Sequence, residues 1–357
     1  ITATGGIAIT IGGVDREGKD ATITSYSGNA TALTIPLMLD GYEVIAIGED
    51  AFSGKTALKT VVMQDNIKAI GESAFYGCTN LRNLTLSENL TTIGHSAFQN
   101  CSALTTVTIP DSVTFIGGRA FANCTNLQHV RLSKNLITLT TAAFKNCDKL
   151  TAIEIPRSLT TIPGYYAEKG PFINCDGLTD VTFEEGTTAV AECLLAYCPG
   201  ITEIVIPDTV TVIQEYAFSN ASNLEKVTCS KNLLTVGGYA FQNCDSLTEV
   251  TLPDAVTQIG EYAYEHCGNL KTVTLADAVT VIGGRAFDQC VELESVRLSK
   301  NLTTLTSAAF RNCDKLTAIE IPRNLTTVPD YYAQKGPFID CDGLTDVTFE
   351  EGTTAVA

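Results

Sequence analysis

The sequence predicts a β-rich solenoid of 23-residue coils, with two short strands in each coil and very little helix. One phrase returns thirteen times: a small residue, an aromatic residue, two variable residues, a cysteine, two variable residues and a leucine, as in residues 74–81. The copies are 23 residues apart except at two steps of 28. Repeats of this length indicate coils that stack on their neighbours, because one coil cannot bury its apolar face alone.

The aromatic position of the phrase predicts a column of large side chains in the core. It is filled by Phe52, Phe75, Phe98, Phe121, Phe144, Phe172, Leu195, Phe218, Phe241, Tyr264, Phe287, Phe310 and Phe338.

Residues 1–40 depart from the repeat and predict an N-terminal capping hairpin. Two runs, 7–11 and 22–26, have the composition of short strands, and Gly12-Gly13 lies between them. Because a solenoid needs an atypical first unit to cover its open end, we assign residues 1–40 to this cap. Residues 41–357 then form the solenoid, with about 13 repeats.

Residues 104–124 illustrate one repeat. The pattern Leu104-x-x-Val107-x-Ile109 predicts a half-buried strand, and a second short strand is expected at residues 113–116. The pair Gly117-Gly118 is expected to supply turns with positive φ, and Asn123 is expected to bond nearby backbone groups. No segment has the length of a stable helix, and residues 73–76 would form at most one helical turn.

The cysteines recur at one position of the repeat rather than at irregular spacings. Of the 13 cysteines, eleven occupy this position, which holds Lys55 and Ala221 in other copies. We interpret them as buried free thiols, with cross-linking of stacked neighbours and metal binding as alternatives. The eleven are Cys78, Cys101, Cys124, Cys147, Cys175, Cys198, Cys244, Cys267, Cys290, Cys313 and Cys341.

Two insertions lengthen the repeats that end near residues 172 and 338. They occupy 164–171 and 330–337, inside a larger duplication in which residues 132–191 and 298–357 match at 52 of 60 positions. Because solenoid insertions protrude and tyrosine offers a large contact area, these loops are candidate protein-binding sites. The candidate residues are Tyr165, Tyr166, Tyr331 and Tyr332. Alternatively, one tyrosine of each pair packs against its own loop.

Charge and hydropathy exclude several classes of partner. A net charge of −17 without a basic block argues against binding nucleic acid. No apolar run is long enough for membrane insertion. The chain begins at Ile1 without a signal region, so we expect any export signal and anchor to lie outside it. We also expect the physiological chain to continue beyond Ala357, because the last coil is incomplete there.

No residue pattern predicts catalysis, a cofactor or a metal. The three histidines, His95, His129 and His266, are not paired recurrently with serine, cysteine or aspartate. The segments 71–74 and 94–97 lack the final glycine of a hydrolase nucleophile elbow. The pairs Glu184-Glu185 and Glu350-Glu351 lack the ligand spacing of a calcium loop. We therefore predict that the chain is not an enzyme.

The positions that flank the strand anchors form a candidate recognition surface. They are mostly threonine with scattered charges, which is typical of either a broad polar binding face or an ordinary β-sheet surface. These residues are Arg82, Asn83, Thr85, Thr105, Thr106, Thr108, Gln128, His129, Arg131, Thr151, Glu154, Glu225, Lys226, Glu294 and Arg297.

The repeat pattern over residues 33–357 resembles the BspA-like leucine-rich-repeat class of bacterial cell-surface proteins, because the aromatic, the cysteine and both strand units recur together. The resemblance implies a β-rich leucine-rich-repeat solenoid on the cell surface. It also implies adhesion to a protein or glycan ligand on a host or neighbouring cell. The alternative function is a structural spacer stalk with no ligand of its own.

Overall fold

In the computed structural model, the described residues are 9–10, 20–163, 170–329 and 336–353. The chain divides into two compact units, Ile1–Glu184 and Glu185–Ala357. Each unit is a β-solenoid of parallel coils at a spacing of about 23 residues, and none of the described residues is helical. The predicted fold class is confirmed. The four candidate residues Tyr165, Tyr166, Tyr331 and Tyr332 lie outside the described residues.

In unit 1, the second strand of each coil contributes to one sheet, in the order β14-β12-β10-β8-β6-β2, with β5 antiparallel to β6. These strands are β2 (Asp20–Ile23), β5 (Met38–Leu39), β6 (Tyr42–Ile47), β8 (Ala69–Ile70), β10 (Thr92–Ile93), β12 (Phe115–Ile116) and β14 (Thr138–Leu139).

The first strands of unit 1 form two further parallel sheets, β4-β7-β9 and β11-β13-β15-β16. Their bounds are β4 (Ala32–Thr34), β7 (Thr60–Val62), β9 (Asn83–Thr85), β11 (Thr106–Thr108), β13 (His129–Arg131), β15 (Ala152–Ile155) and β16 (Asp180–Phe183).

Unit 2 repeats this plan. Its second strands form one six-stranded parallel sheet: β17 (Ala189–Val190), β19 (Val212–Ile213), β21 (Thr235–Val236), β23 (Gln258–Ile259), β25 (Val281–Ile282) and β27 (Thr304–Leu305). Its first strands pair as β18-β20, β22-β24-β26 and β28-β29. Their bounds are β18 (Glu203–Val205), β20 (Lys226–Thr228), β22 (Glu249–Thr251), β24 (Thr272–Thr274), β26 (Ser295–Arg297), β28 (Ala318–Ile321) and β29 (Asp346–Phe349).

The N-terminal region combines an antiparallel pair with the start of the solenoid. Strand β1 (Ile9–Thr10) pairs antiparallel with β3 (Ser25–Tyr26), whereas β2 pairs parallel with β6. The Tyr26 ring lies 5.1 Å from the Phe52 ring, at the head of the aromatic column. Parallel pairing therefore already begins at Asp20, within the region that the sequence assigns to the cap.

A third ladder of backbone hydrogen bonds runs through the turn that carries the aromatic residue. The Phe121 amide donates to the Ala143 carbonyl over 2.7 Å, and the Asn123 amide donates to the Lys145 carbonyl over 2.8 Å. Both flanking residues of this turn are left-handed, with φ of 57° at Arg119 and 60° at Asn123. The same two positions, two residues before and two after the aromatic, are left-handed throughout the described coils.

The structure corrects the predicted role of the paired glycines. Gly117 and Gly118 do not have positive φ. Instead, a Cβ atom on Gly117 would lie 2.5 Å from the His95 amide nitrogen of the preceding coil. Glycine is required there because the two backbones approach too closely for any side chain.

The predicted role of Asn123 is also corrected. Its side-chain amide does not bond a nearby backbone group but donates to the Asn100 Oδ1 atom over 2.8 Å. Asn146 donates in turn to Asn123 over 2.7 Å. Asparagine tolerates the left-handed conformation, and its amide can donate to one copy of itself while accepting from another.

The core of each unit is an aromatic column, as the sequence predicts. Neighbouring rings lie nearly parallel, with centroids 5.2 Å apart for Phe98 and Phe121 and 5.1 Å apart for Phe218 and Phe241. Phe121 is fully buried. Offset stacking at this separation adds to the free energy gained by burying the rings.

The cysteine column lies beside the aromatic column. All thirteen cysteines are free, and only Cys229 and Cys341 are partly exposed. The Cys124 thiol donates to the Phe98 carbonyl over 3.4 Å, and equivalent bonds recur along the column. These observations confirm that the cysteines are free thiols. They also confirm the predicted burial for ten of the eleven column residues.

We predict that Phe121→Ala lowers the free energy of unfolding by about 3–5 kcal/mol, because it leaves a cavity in the aromatic column. Phe121→Leu is the matched control, since Leu195 occupies the same position in another coil and is fully buried. We expect a clearly smaller loss for leucine. Urea denaturation measures both, and equal losses would show that the stacked column does not contribute as described.

We also predict that stability falls as the pH rises above about 9. Burial raises the pKa of Cys78 to about 11 and that of Cys124 to about 12, from 9.0. Unfolded thiols therefore lose their protons first, and the native state loses its advantage between about pH 9 and about pH 12. Urea midpoints across this range measure the effect.

Cys124→Ala provides the control for this pH dependence, because Ala221 fills the same position in another coil. The variant should show a shallower alkaline loss of stability than the parent chain.

We further predict that thiol reagents label few cysteines of the native chain before denaturant is added. Rapid labelling of most thiols in the native chain would contradict the buried assignment.

Candidate functional site

The outward side chains of the first strands, together with the residue before each strand, form a largely polar surface on each unit, which we call the strand face. On β11 the middle residue Val107 is buried, whereas Thr106 and Thr108 are exposed. This alternation follows from the two-residue period of a strand. The parallel register places Thr106 beside His129 and Thr108 beside Arg131.

All residues of the predicted recognition surface are exposed. The structure places them along the strand face of their own unit. In unit 1 these are Arg82, Asn83, Thr85, Thr105, Thr106, Thr108, Gln128, His129, Arg131, Thr151 and Glu154. In unit 2 they are Glu225, Lys226, Glu294 and Arg297.

Charged pairs hold the edge of the strand face in a fixed arrangement. Both carboxylate oxygens of Asp111 accept hydrogen bonds of 2.8 Å from Arg131. A hydrogen bond from the Lys134 amide, followed by the Arg131 bond, lowers the pKa of Asp111. The pair recurs in unit 2, where Arg297 lies 2.9 Å from Asp277. Because these pairs are exposed, they orient the side chains more than they stabilise the fold.

A shallow cleft on unit 1 lies along this edge. Arg131 and Lys134 line it together with the carboxylates of Glu154 and Glu184. Glu184 is also tied to the backbone, since its Oε2 atom accepts a hydrogen bond of 3.0 Å from the Arg157 amide. The cleft thus presents both signs of charge, which suits hydrogen bonding to a polar ligand rather than binding of a metal ion.

The three histidines do not form a catalytic arrangement with one another. His95 accepts a hydrogen bond of 3.0 Å from the Gly118 amide and supports the neighbouring coil. His129 is exposed on β13, and His266 occupies a left-handed position with φ of 59°. Within the described ranges, no group of three or more histidine, cysteine, aspartate or glutamate side chains is arranged to hold a metal ion. No membrane-spanning helix is found in that same part of the chain.

One surface feature is missing from the sequence-based prediction. Tyr216, Tyr239 and Tyr262 stack in a second aromatic column, with centroids 4.5 Å and 4.6 Å apart. All three are only half-buried. Their 23-residue spacing is visible in the sequence and would have identified the column, because residues at this spacing lie directly above one another.

Comparison with known proteins agrees with this architecture. The family described as the BspA type leucine rich repeat region matches residues 45–168, 166–271 and 235–357. A leucine-rich repeat protein from Bacteroides ovatus is 28% identical, with a TM-score of 0.56, and the alignment covers 89% of this chain and 94% of that one.

The pneumococcal vaccine antigen PcpA is 19% identical with a TM-score of 0.54, over 98% of this chain and 88% of that one, and shows the fold. No match was found among curated proteins. The family match covers most of the chain, and the coils at a spacing of about 23 residues agree with it. The chain therefore belongs to the family of BspA-type leucine-rich repeat proteins.

Proposed function

We propose that this chain is a non-enzymatic, extracellular binding module of a cell-surface protein. Its ligand would be a protein or glycan on a host or neighbouring cell. The observation that carries the proposal is the strand face, an exposed polar surface that recurs on both units and is held in place by a buried core. Repeat proteins of this kind use such surfaces for recognition.

The chemistry of the strand face supports binding rather than catalysis. It offers hydroxyl groups from threonine, an imidazole at His129, and charges of both signs at Arg131 and Glu154. These groups can hydrogen-bond a polar ligand over a wide area. None of them is paired with a nucleophile in the described residues, and membership of a family of repeat scaffolds agrees with a role in binding.

We also propose that the inserted loops contribute contacts. Each carries two adjacent tyrosines, Tyr165-Tyr166 and Tyr331-Tyr332, which can supply large contact areas at low conformational cost. Because the loops belong to the duplicated segment, the same contacts would be available twice in one chain.

A screen of the purified chain against extracellular matrix proteins and glycans tests the proposal. We expect at least one reproducible ligand. Substituting His129 and Glu154 with alanine should weaken its binding by about tenfold, because interface residues at the centre of a contact often contribute more than 1 kcal/mol. Substituting all four loop tyrosines with alanine should weaken it further.

The control is a pair of alanine substitutions at Thr91 and Thr114, which lie immediately before second strands and outside the strand face. This variant should bind as tightly as the parent chain. A screen with no reproducible ligand would favour the spacer function. A ligand that binds equally well to the strand-face variant would place the site elsewhere, and unchanged binding of the tyrosine variant would remove the loops from it.

A further inference from the structure

The ladder of first strands is interrupted inside each unit, at places that we call the joints. In unit 1 the pairing stops between β9 and β11, and it falls to the single residue pair His129–Ala152 between β13 and β15. In unit 2 it stops between β20 and β22 and again between β26 and β28. The second strands do not share these interruptions, since β10 still pairs with β12 and β21 with β23.

The joints follow a rule that is visible in the sequence. In the coil before each joint, the turn after the first strand reads leucine or cysteine, serine, a variable residue and asparagine, at residues 86–89, 132–135, 229–232 and 298–301. In the coil after each joint, proline takes the place of the serine, at Pro110, Pro156, Pro253 and Pro322. First strands that end in a different turn pair normally with the next first strand of their unit.

Hydrogen bonds fix this turn to the coil before it, in an arrangement that we call the aspartate clamp. At the end of β20 the Lys231 amide donates to the Asp208 Oδ1 atom over 3.1 Å, and the Asn232 side chain donates to the Asp208 carbonyl over 2.9 Å. The Ser230 hydroxyl accepts from the Asn232 amide over 3.1 Å and holds the turn in shape. The same clamp recurs at Asp65, Asp111 and Asp277.

The amide at the start of the clamped turn does not reach the following coil. One coil earlier, the Ile206 amide donates to the Thr228 carbonyl over 2.8 Å. The equivalent amide of Cys229 donates to no carbonyl of the described residues, and the same holds for Leu86, Leu132 and Leu298. Because buried amides are almost always bonded to protein or water, solvent is expected to reach these four.

The burial of the first strands shows independently that the joints are open. The middle residue of the strand is only half-buried in all four coils that precede a joint: Leu84, Val130, Val227 and Val296. In other coils the middle residue is buried, as at Val107, Ile204, Val250 and Val273. A cavity of about 20 Å³, enough for one water molecule, lies at the β20–β22 joint between Val227, Cys229 and Val250.

We propose that the four joints are hinges, at which the first-strand side of a unit opens and closes while its other two ladders stay bonded. At the β20–β22 joint the Thr257 amide still donates to the Leu234 carbonyl over 2.9 Å, and the Phe241 amide to the Ala263 carbonyl over 2.7 Å. The hinge therefore lies on the second-strand and aromatic side. A unit can change the spacing of its first strands without breaking its aromatic column, whether or not the strand face binds a ligand.

Amide hydrogen exchange of the whole native chain, resolved to single residues by mass spectrometry, tests the hinges. After correction for intrinsic rates, we expect the Cys229 amide to exchange at least about a hundredfold faster than the Ile206 amide. The Thr257 amide spans the same joint on the closed side, so it should exchange as slowly as Ile206. This difference separates hinge opening from complete separation of the two coils.

A transplant of residues 207–209 into positions 230–232 tests whether the clamp causes the joint. The variant combines Ser230→Pro, Lys231→Asp and Asn232→Thr, and it replaces the clamped turn with a turn that the chain already uses one coil earlier. We expect the Cys229 amide to exchange about tenfold more slowly or less, because it can then bond the next coil as Ile206 does. Asp254→Ala is the control. This exposed aspartate is equivalent to Asp208, but the turn that follows it one coil later lacks serine and asparagine, so exchange at Cys229 should stay within about twofold.

Three results would overturn the proposal. Equal exchange of Cys229 and Ile206 would show that the joint is closed. Exchange of Thr257 as fast as that of Cys229 would show that whole coils separate. Unchanged exchange at Cys229 in the folded transplant would remove the clamp as the cause. If the transplant does not fold, the parent chain decides by the same comparison in unit 1, between Leu86 and Met63, whose amide donates to the Thr85 carbonyl over 2.9 Å.

Discussion

Parallel hydrogen bonding between coils, at an offset of 23 residues in most pairs and 28 in the longer coils, is the constraint on which the rest of each unit depends. It places each residue beside its own equivalent, as Ile93 lies beside Ile116. A side chain must therefore pack well against a copy of itself. Phenylalanine satisfies this by stacking, asparagine by donating and accepting with one amide, and cysteine by bonding a backbone carbonyl. Like charges repel one another when they are stacked. Arg131 therefore pairs with Asp111, which lies 20 residues earlier in the chain.

The same constraint explains the abundance of threonine where the second strands begin. The Thr91 amide and hydroxyl both donate to the Lys68 carbonyl, over 2.8 Å and 2.9 Å. The Thr303 hydroxyl donates likewise to the Thr280 carbonyl over 3.0 Å. A threonine at this position reinforces the bond between coils and suits a strand through its branched side chain. Its hydroxyl group is therefore engaged with the backbone.

The features that follow from periodicity could be predicted from the sequence. Both strands of residues 104–124, the buried Phe121 and the strand face at Thr106 follow from alternation and from the 23-residue repeat. The backbone conformation could not be predicted in the same way. Nothing in the residue type of Arg119 or Tyr216 indicates a left-handed φ, and the reason for Gly117 is visible only when the backbone of the preceding coil is known. The burial of Glu265 and its hydrogen bond from Gln242 likewise depend on contacts with neighbouring coils.

The left-handed positions restrict which residue types the chain can accept as its coils diverge in sequence. Valine, isoleucine and threonine are among its commonest residues, yet none of them occurs at a left-handed position of the described coils. Their branched side chains clash in that conformation. Residues as different as aspartate, serine, arginine, alanine, cysteine and tyrosine are all accepted there. Copying a coil and then changing these positions alters the surface chemistry while the backbone stays the same. Such an array can evolve new binding specificities through substitutions at a few sites per coil, while the packing of its core stays the same.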